Sequence, residues 1–264
     1  MTMHPTKLFA PGPFQAHQLR SGDPYELSNG HPVLCLPTGG RGARANLLGG
    51  TVLETDPAVE QAGVDAGFSP EPGVMRAPDV AVGNVPDVAG WVQGAPPLAV
   101  EYADRSQDEE ELQSKIAELL AAGTQHVWVV RLMGPRRVEV YTPGQKLRAV
   151  GPGESLVAPG ILKNAVPVEA LYDREAAHEV TLRNLLQRRG YESLEAVREV
   201  GREEGERTGQ LAHARAVLRR QLGKRGMTLD AAQDARIDST ADLATLDRWL
   251  DQALVANTAD EALR

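Results

Sequence analysis

The run of residues 77–144 constrains the fold more than any other part of the chain. It reads APDVAVG, then PPLAVEYADRSQ, then DEEELQSKIAELLAAG, then HVWVVRLMGPRRVEVYTPG. Short apolar runs bounded by Gly and Pro are strand signals, and the stretch between the second and third is amphipathic with helical spacing. That stretch predicts a helix over 108–122, opened by acidic residues and ended by Gly123. A helix between PLAVEYA and HVWVVRL is the crossover that joins two parallel strands. RVEVYTPG follows through the short turn MGPR and is expected to fold back antiparallel. Strand, strand, helix, strand, strand therefore predicts an α/β fold with a mixed sheet flanked by helices.

Two upstream segments are read less sharply. HPVLCLP suggests a strand, with Cys35 a plain buried thiol, as free cysteines usually are. A single cysteine excludes an intramolecular disulfide and a cysteine-rich zinc site. PTGGRGARANLLGG is rich in glycine but lacks the GK[ST] ending of a P-loop, so a tight or flexible turn is expected there, with a phosphate-facing helix N-terminus as the alternative.

Near residue 173 the texture changes. Proline gives way to leucine, alanine, arginine and glutamate, which predicts a core domain over 1–172 and an all-α C-terminal region over 173–264. Apolar residues recur at helical spacing as Leu211, Ala214, Leu218 and Leu222, and again as Leu243, Leu246, Leu250 and Leu254. Gly201, Gly205 and Gly209 repeat every four residues among charged neighbours. Each should weaken a helix by about 1 kcal/mol, so the repeat marks either close helix–helix approach, as in a homodimer, or a soft joint.

A net charge of −8 argues against bulk electrostatic holding of nucleic acid, which needs a concentrated basic surface. Arg41, Arg44, Arg131, Arg136, Arg137, Lys146 and Arg148 read as scattered surface cations, with a local basic groove as the alternative. No apolar run approaches the roughly 18 residues of a membrane span, and the opening MTMHPTKLFAPGPF has no charged-then-apolar leader pattern. The expectation is a cytoplasmic protein with no membrane partner. The six histidines show neither HExxH nor paired spacing, so no zinc site and no Ser/His/Asp arrangement is expected.

Lys115 stands among carboxylates on the 108–122 helix. Leu112, Ile116, Leu119 and Leu120 form its apolar stripe, and Lys115 falls about 40° from Leu119, on the shoulder of that stripe. One reading is a surface ion pair with Glu111, four residues earlier. The other sends the ammonium toward the sheet rim, where Glu101 ends one strand and Asp79 precedes another. Asp79, Glu101 and Lys115 together have the chemistry of a divalent-metal phosphodiesterase: hard carboxylate oxygens for Mg²⁺ and an ammonium to orient a nucleophile. Asp87 in NVPDVAG imitates Asp79, but its Gly/Pro-bounded setting favours Asp79.

The residues PYELSNG (24–30), APDVAVG (77–83), PPLAVEYADRSQ (96–107), the 108–123 helix and HVWVVRLMGPRRVEVYTPG (126–144) resemble the PD-(D/E)xK nuclease superfamily. The resemblance is specifically to the bacterial Uma-two family of restriction-endonuclease-like proteins, whose lysine has moved from the ExK tripeptide to the next helix. It implies a restriction-endonuclease-like core, Asp79 and Glu101 as ligands of Mg²⁺ or Mn²⁺, Lys115 as catalytic ammonium and Glu26 as a further site carboxylate. It also implies a nucleic-acid substrate, with DNA expected. The chain departs from the family pattern in three places. Arg41, Ala43 or Arg44 stands where a histidine is common, Asp104-Arg105 replaces a serine-proline, and Arg131 replaces an aspartate. These departures, with the negative charge, motivate the alternative of a nuclease-fold binding or assembly module that works through its helical arm.

Overall fold

The computed structural model describes residues 12–105 and 108–264. Most of the opening segment read for targeting, and Ser106 and Gln107 of the PPLAVEYADRSQ stretch, lie outside the described residues. The chain divides into two compact units, Met1–Glu192 and Ser193–Arg264.

The first unit runs β1 (Tyr25–Ser28), β2 (His31–Leu34), α1 (Gly40–Glu54), β3 (Ala62–Val64), β4 (Val80–Val82), β5 (Leu98–Ala103), α2 (Glu109–Ala121), β6 (His126–Arg131), β7 (Arg137–Tyr141), β8 (Arg148–Val150), β9 (Ser155–Leu156), β10 (Val166–Pro167) and α3 (Arg174–Arg188). One six-stranded sheet has the order β3-β4-β5-β6-β7-β8. β5 and β6 are parallel, with Leu98 opposite His126 and Ala103 opposite Arg131. The other neighbouring pairs are antiparallel. The chain thus has the mixed α/β sheet that its order of apolar runs predicts.

β5 is buried along its whole length, as a nearly unbroken apolar strand should be when both sheet faces are covered. Alternation sends Leu98, Val100 and Tyr102 into the cluster containing Val52 and Leu53 of α1. Ala99 and Ala103 go the other way, against Leu112, Ile116 and Leu119 of α2. Asp108 caps α2 by accepting from the backbone N–H groups of Glu110 and Glu111 at 3.0 and 3.2 Å. Gly123, at φ +109°, follows the helix as its reading predicts.

Two expectations are corrected in this unit. The glycine-rich segment is a helix rather than a turn, because Ala45, Val52 and Leu53 bury one face against the sheet and that packing outweighs its poor glycine propensity. Cys35 is exposed rather than buried, and sits one residue past β2. β2 turns only Val33 partly inward, because the buried side of that hairpin is carried by Glu26 and Leu27 of β1. α3 packs on α1: Asn184 Nδ2 donates to the Val52 carbonyl at 3.1 Å, and Arg188 donates to the carbonyls of Thr55, Asp56 and Val59.

The second unit is helical, with α4 (Leu194–Lys224), α5 (Ala231–Ser239), α6 (Leu243–Val255) and α7 (Ala259–Ala262). Leu218, Leu222, Ile237, Leu246, Trp249 and Ala253 form its core. Leu254 is 56% exposed, which corrects its place in the predicted stripe, because Trp249 and Ala253 take the inward positions of α6. Gly201, Gly205 and Gly209 lie within α4, and apart from the adjoining turns of that helix no atom of the described residues comes within 4 Å of the Cβ position of any of them. No described helix is long and apolar enough to cross a membrane.

Candidate active site

The alternation of β5 delivers Glu101 to the α2 face. Its same-face neighbours on the strand are Ala99 and Ala103, small residues that let the helix approach closely. Lys115 on α2 meets it there. Lys115 Nζ lies 2.8 Å from Glu101 Oε1 and 3.1 Å from Glu26 Oε1, and donates to the Ala77 carbonyl at 2.8 Å. The Lys115 side chain is only 12% exposed. Glu111 is engaged elsewhere, 2.5 Å from Arg76 Nη1, so the pairing offered to Lys115 along its own helix gives way to one across the sheet.

Asp79 immediately precedes β4. Its Oδ2 accepts the backbone N–H of Tyr102 at 2.6 Å, which ties it to the residue after Glu101. Tyr102 is in turn fixed by donating its hydroxyl to the Leu171 carbonyl at 3.1 Å. Asp87, the sequence mimic of Asp79, is exposed. Glu26 of β1 has both oxygens engaged, Oε1 with Lys115 and Oε2 with Arg76 Nη1 at 3.1 Å. The four residues singled out in the sequence are thus drawn toward one place from β1, the start of β4, β5 and α2.

Their electrostatics follow from shared burial. Desolvation pushes the Glu101 carboxyl up to about 8, against the pull of the Lys115 ammonium, with Asp79 and Glu26 adding to the rise. Burial likewise raises Asp79, opposed by Lys115 and by the Tyr102 N–H. For Lys115 burial works against the charge, but Glu101, Glu26 and Asp79 outweigh it and hold the ammonium above the ordinary lysine value. The cluster therefore sets three carboxyl groups about one ammonium, with Glu101 ionising at a higher pH than an ordinary glutamate.

Once Glu101 gives up its proton, its carboxylate and that of Asp79 would suit a hard divalent cation. Glu101 Oε1 is buried and receives no aligned hydrogen bond among the described residues, although Lys115 Nζ stands 2.8 Å away. An oxygen in that condition, with Asp79 at the start of the neighbouring strand, fits a ligand of a hard divalent cation. Among the described residues no group of three or more His, Cys, Asp or Glu side chains is arranged to hold an ion. Two carboxylates are donors that a hard divalent cation accepts while keeping several waters.

Two residues of this neighbourhood escape the sequence reading. Arg76 is almost wholly buried and donates Nε to Glu118 Oε2 at 2.5 Å, besides its contacts with Glu26 and Glu111. Its place three residues before Asp79 is the only signal the sequence offers. Asp65 follows β3 at the position facing Asp79 when the register Val64 opposite Val80 is extended by one. It adopts φ +51°, and it adds to the rise at Asp79.

Several of the arginines read as surface cations are engaged within the chain. Arg131 pairs with Glu109 at 2.8 Å and Glu139 at 2.7 Å, Arg137 with Glu139 at 2.6 Å, and Arg136 lies over the Tyr172 ring. Arg41, one of the three residues read for the family's histidine position, pairs with Asp104 of a second departure, Arg41 Nε donating to Asp104 Oδ2 at 3.0 Å. They are compatible neighbours rather than two independent losses.

Comparison with solved structures finds a likeness to the "putative nuclease" from Anabaena variabilis ATCC 29413, with a TM-score of 0.54 and 17% sequence identity over 62% of this chain and 99% of that one. That likeness supports a nuclease-like fold. No curated protein sequence matches the chain. Residues 13–169, more than half of the chain and the whole of the region that carries the cluster around Lys115, match the family Uma2, described as "Putative restriction endonuclease", and the chain belongs to that family.

Proposed function

We propose that the protein is a divalent-metal-dependent nuclease that hydrolyses phosphodiester bonds, with DNA as its substrate and the cytoplasm as its place of action. The observation that carries this reading is the meeting of the Lys115 ammonium with the buried Glu101 carboxylate at 2.8 Å, beside an Asp79 tethered to the next residue of the same strand. Asp79 and Glu101 are the residues that would hold Mg²⁺ or Mn²⁺. Once bound, the ion supplies Lewis acidity and a water of lowered pKa. Tyr102, through its backbone N–H, orients the Asp79 carboxylate. Lys115, kept as an ammonium by three carboxylates, positions the attacking water and offsets charge on the phosphate. Glu26 supports Lys115 with a second carboxylate contact at 3.1 Å.

The test is cleavage of single- and double-stranded DNA and RNA with Mg²⁺, Mn²⁺ or EDTA, run beside Asp79→Ala and Lys115→Ala. The reading expects metal-dependent cutting that falls by about 10²–10⁴-fold in either variant. An Asp79→Ala protein as active as the unmodified one sinks it.

A second role rests on the first half of α4, where Leu194 and Val200 are exposed apolar residues. This favours self-association as a homodimer through the C-terminal helices, which would suit cleavage of both strands of a duplex. A monomeric mass at micromolar concentration counts against it. The same surface would serve an assembly module if the site were silent.

A further inference from the structure

We propose that Arg76 is a positioning residue for the Lys115 site, acting through Glu26. The inference rests on the nuclease reading for its functional meaning and on geometry alone for its structural content. Three residues of α2 spaced i, i+4 and i+7 grip the segment that leads into Asp79. Glu111 Oε1 lies 2.5 Å from Arg76 Nη1, Lys115 Nζ donates to the Ala77 carbonyl at 2.8 Å, and Glu118 Oε2 accepts from Arg76 Nε at 2.5 Å. Ser28 donates to the other oxygen of Glu118 at 2.5 Å, which brings β1 into the same knot. The Arg76 backbone is fixed independently, exchanging hydrogen bonds with Phe68 at 2.9 and 2.8 Å.

Glu26 is the link between the two cations. One oxygen faces Arg76 Nη1 and the other faces Lys115 Nζ, each at 3.1 Å. Arg76 is therefore the buried end of a chain that runs Arg76, Glu26, Lys115, Glu101. Without it nothing among the described residues fixes the second oxygen of Glu26, and the carboxylate is free to rotate away from Lys115. Arg76 meets the three carboxylates through a rigid planar fork, a geometry that a lysine ammonium on its flexible stem does not reproduce. Arg76 touches neither Glu101 nor Asp79 through its side chain, so its influence on the site is indirect.

The experiment measures how well Lys115 is protected, which does not require the protein to cut anything. The full chain is treated briefly with acetic anhydride under native conditions. Acetylation of Lys115 is compared by peptide mass spectrometry with that of Lys146, which is exposed. Arg76→Lys and Glu26→Gln are the variants, each first shown to be folded by circular dichroism and melting. Both should raise Lys115 labelling relative to Lys146 by about tenfold, as expected when a local constraint is released. The double variant should label no faster than Glu26→Gln alone. Protection within about twofold of the unmodified protein in folded Glu26→Gln overturns the proposal, as does a double variant in which the two effects multiply. Glu26→Gln is nearly isosteric, so the proposal stays open to refutation even where Arg76→Lys fails to fold. Cleavage by the same variants separates the two readings. Positioning predicts a kcat lowered by about tenfold or more with KM held within about threefold. If the unmodified protein cuts no nucleic acid with any metal, the nuclease reading falls, while the labelling still decides the role of Arg76.

Discussion

Gly49 and Gly50 are neighbours in the middle of α1, and the two positions respond oppositely to alanine. Helix propensity alone favours both substitutions by about 1 kcal/mol. At Gly50 the added Cβ meets Val64 Cγ1 at 3.5 Å and Val80 Cγ2 at 3.8 Å, ordinary contacts, so the gain stands. At Gly49 it falls 1.8 Å from Tyr102 Oη, 3.1 Å from Cζ and 3.4 Å from Leu171 Cδ2. Tyr102 is buried and its hydroxyl donates to Leu171, so the ring has no free direction in which to move without breaking that bond. Overpacking costs about 1–3 kcal/mol, and leaving a buried hydroxyl or carbonyl unpaired costs about 1–3 kcal/mol more. Set against the helical gain, Gly49→Ala should destabilise by about 3 kcal/mol, which lowers Tm by about 6–12 °C in a unit of this size. Gly50→Ala should melt at or slightly above the unmodified protein. Scanning calorimetry on the pair is the assay. A Gly49→Ala protein that melts as high as Gly50→Ala refutes the reasoning, because it would mean that Tyr102 is not held where α1 needs the space. Since the Tyr102 N–H also tethers Asp79, the same variant should cut more slowly than Gly50→Ala.

Other outcomes follow from particular contacts. Glu101, pushed up to about 8 by burial, holds its proton at neutral pH in the metal-free protein. A divalent ion must displace that proton, so apparent Mg²⁺ or Mn²⁺ affinity should rise as pH approaches 8, and titration calorimetry in buffers of different ionisation enthalpy should record proton release. For stability the sign is that of a group whose folded pKa is raised. The Glu101 contribution is fully present below about 4.5 and is lost as pH rises to about 8, so added metal should restore most stability at the alkaline end; a Tm increment from Mn²⁺ that is larger at pH 6 than at pH 8 would contradict this. Asp56 accepts the backbone N–H groups of Ala58, Lys163 and Asn164 at 2.8 to 2.9 Å while almost fully buried. Asp56→Ala should therefore destabilise the first unit by about 3 kcal/mol or more, read by urea denaturation. Leu222→Ala, at a fully buried position of the helical unit, should cost that unit about 2–5 kcal/mol, visible as an earlier loss of helical circular dichroism.

Local rules were enough for the central topology. A continuous apolar run, a capped amphipathic stretch and a second apolar run admit one arrangement, a parallel pair with a crossover helix, and β5, α2 and β6 take it. The same rules placed Lys115 on the shoulder of its stripe, because helical periodicity depends on spacing alone. They could not choose between Glu111 and Glu101 as its neighbour, since that choice depends on how closely α2 approaches β5 across Ala99 and Ala103. Nor could they place Arg76, whose three carboxylates come from β1 and from two turns of α2. The glycine-rich α1 and the exposed Cys35 were misread for the same reason. Propensity and hydrophobicity are summed along the chain, whereas burial is decided by whichever distant surface arrives to cover a residue, and only the tertiary structure brings those surfaces together.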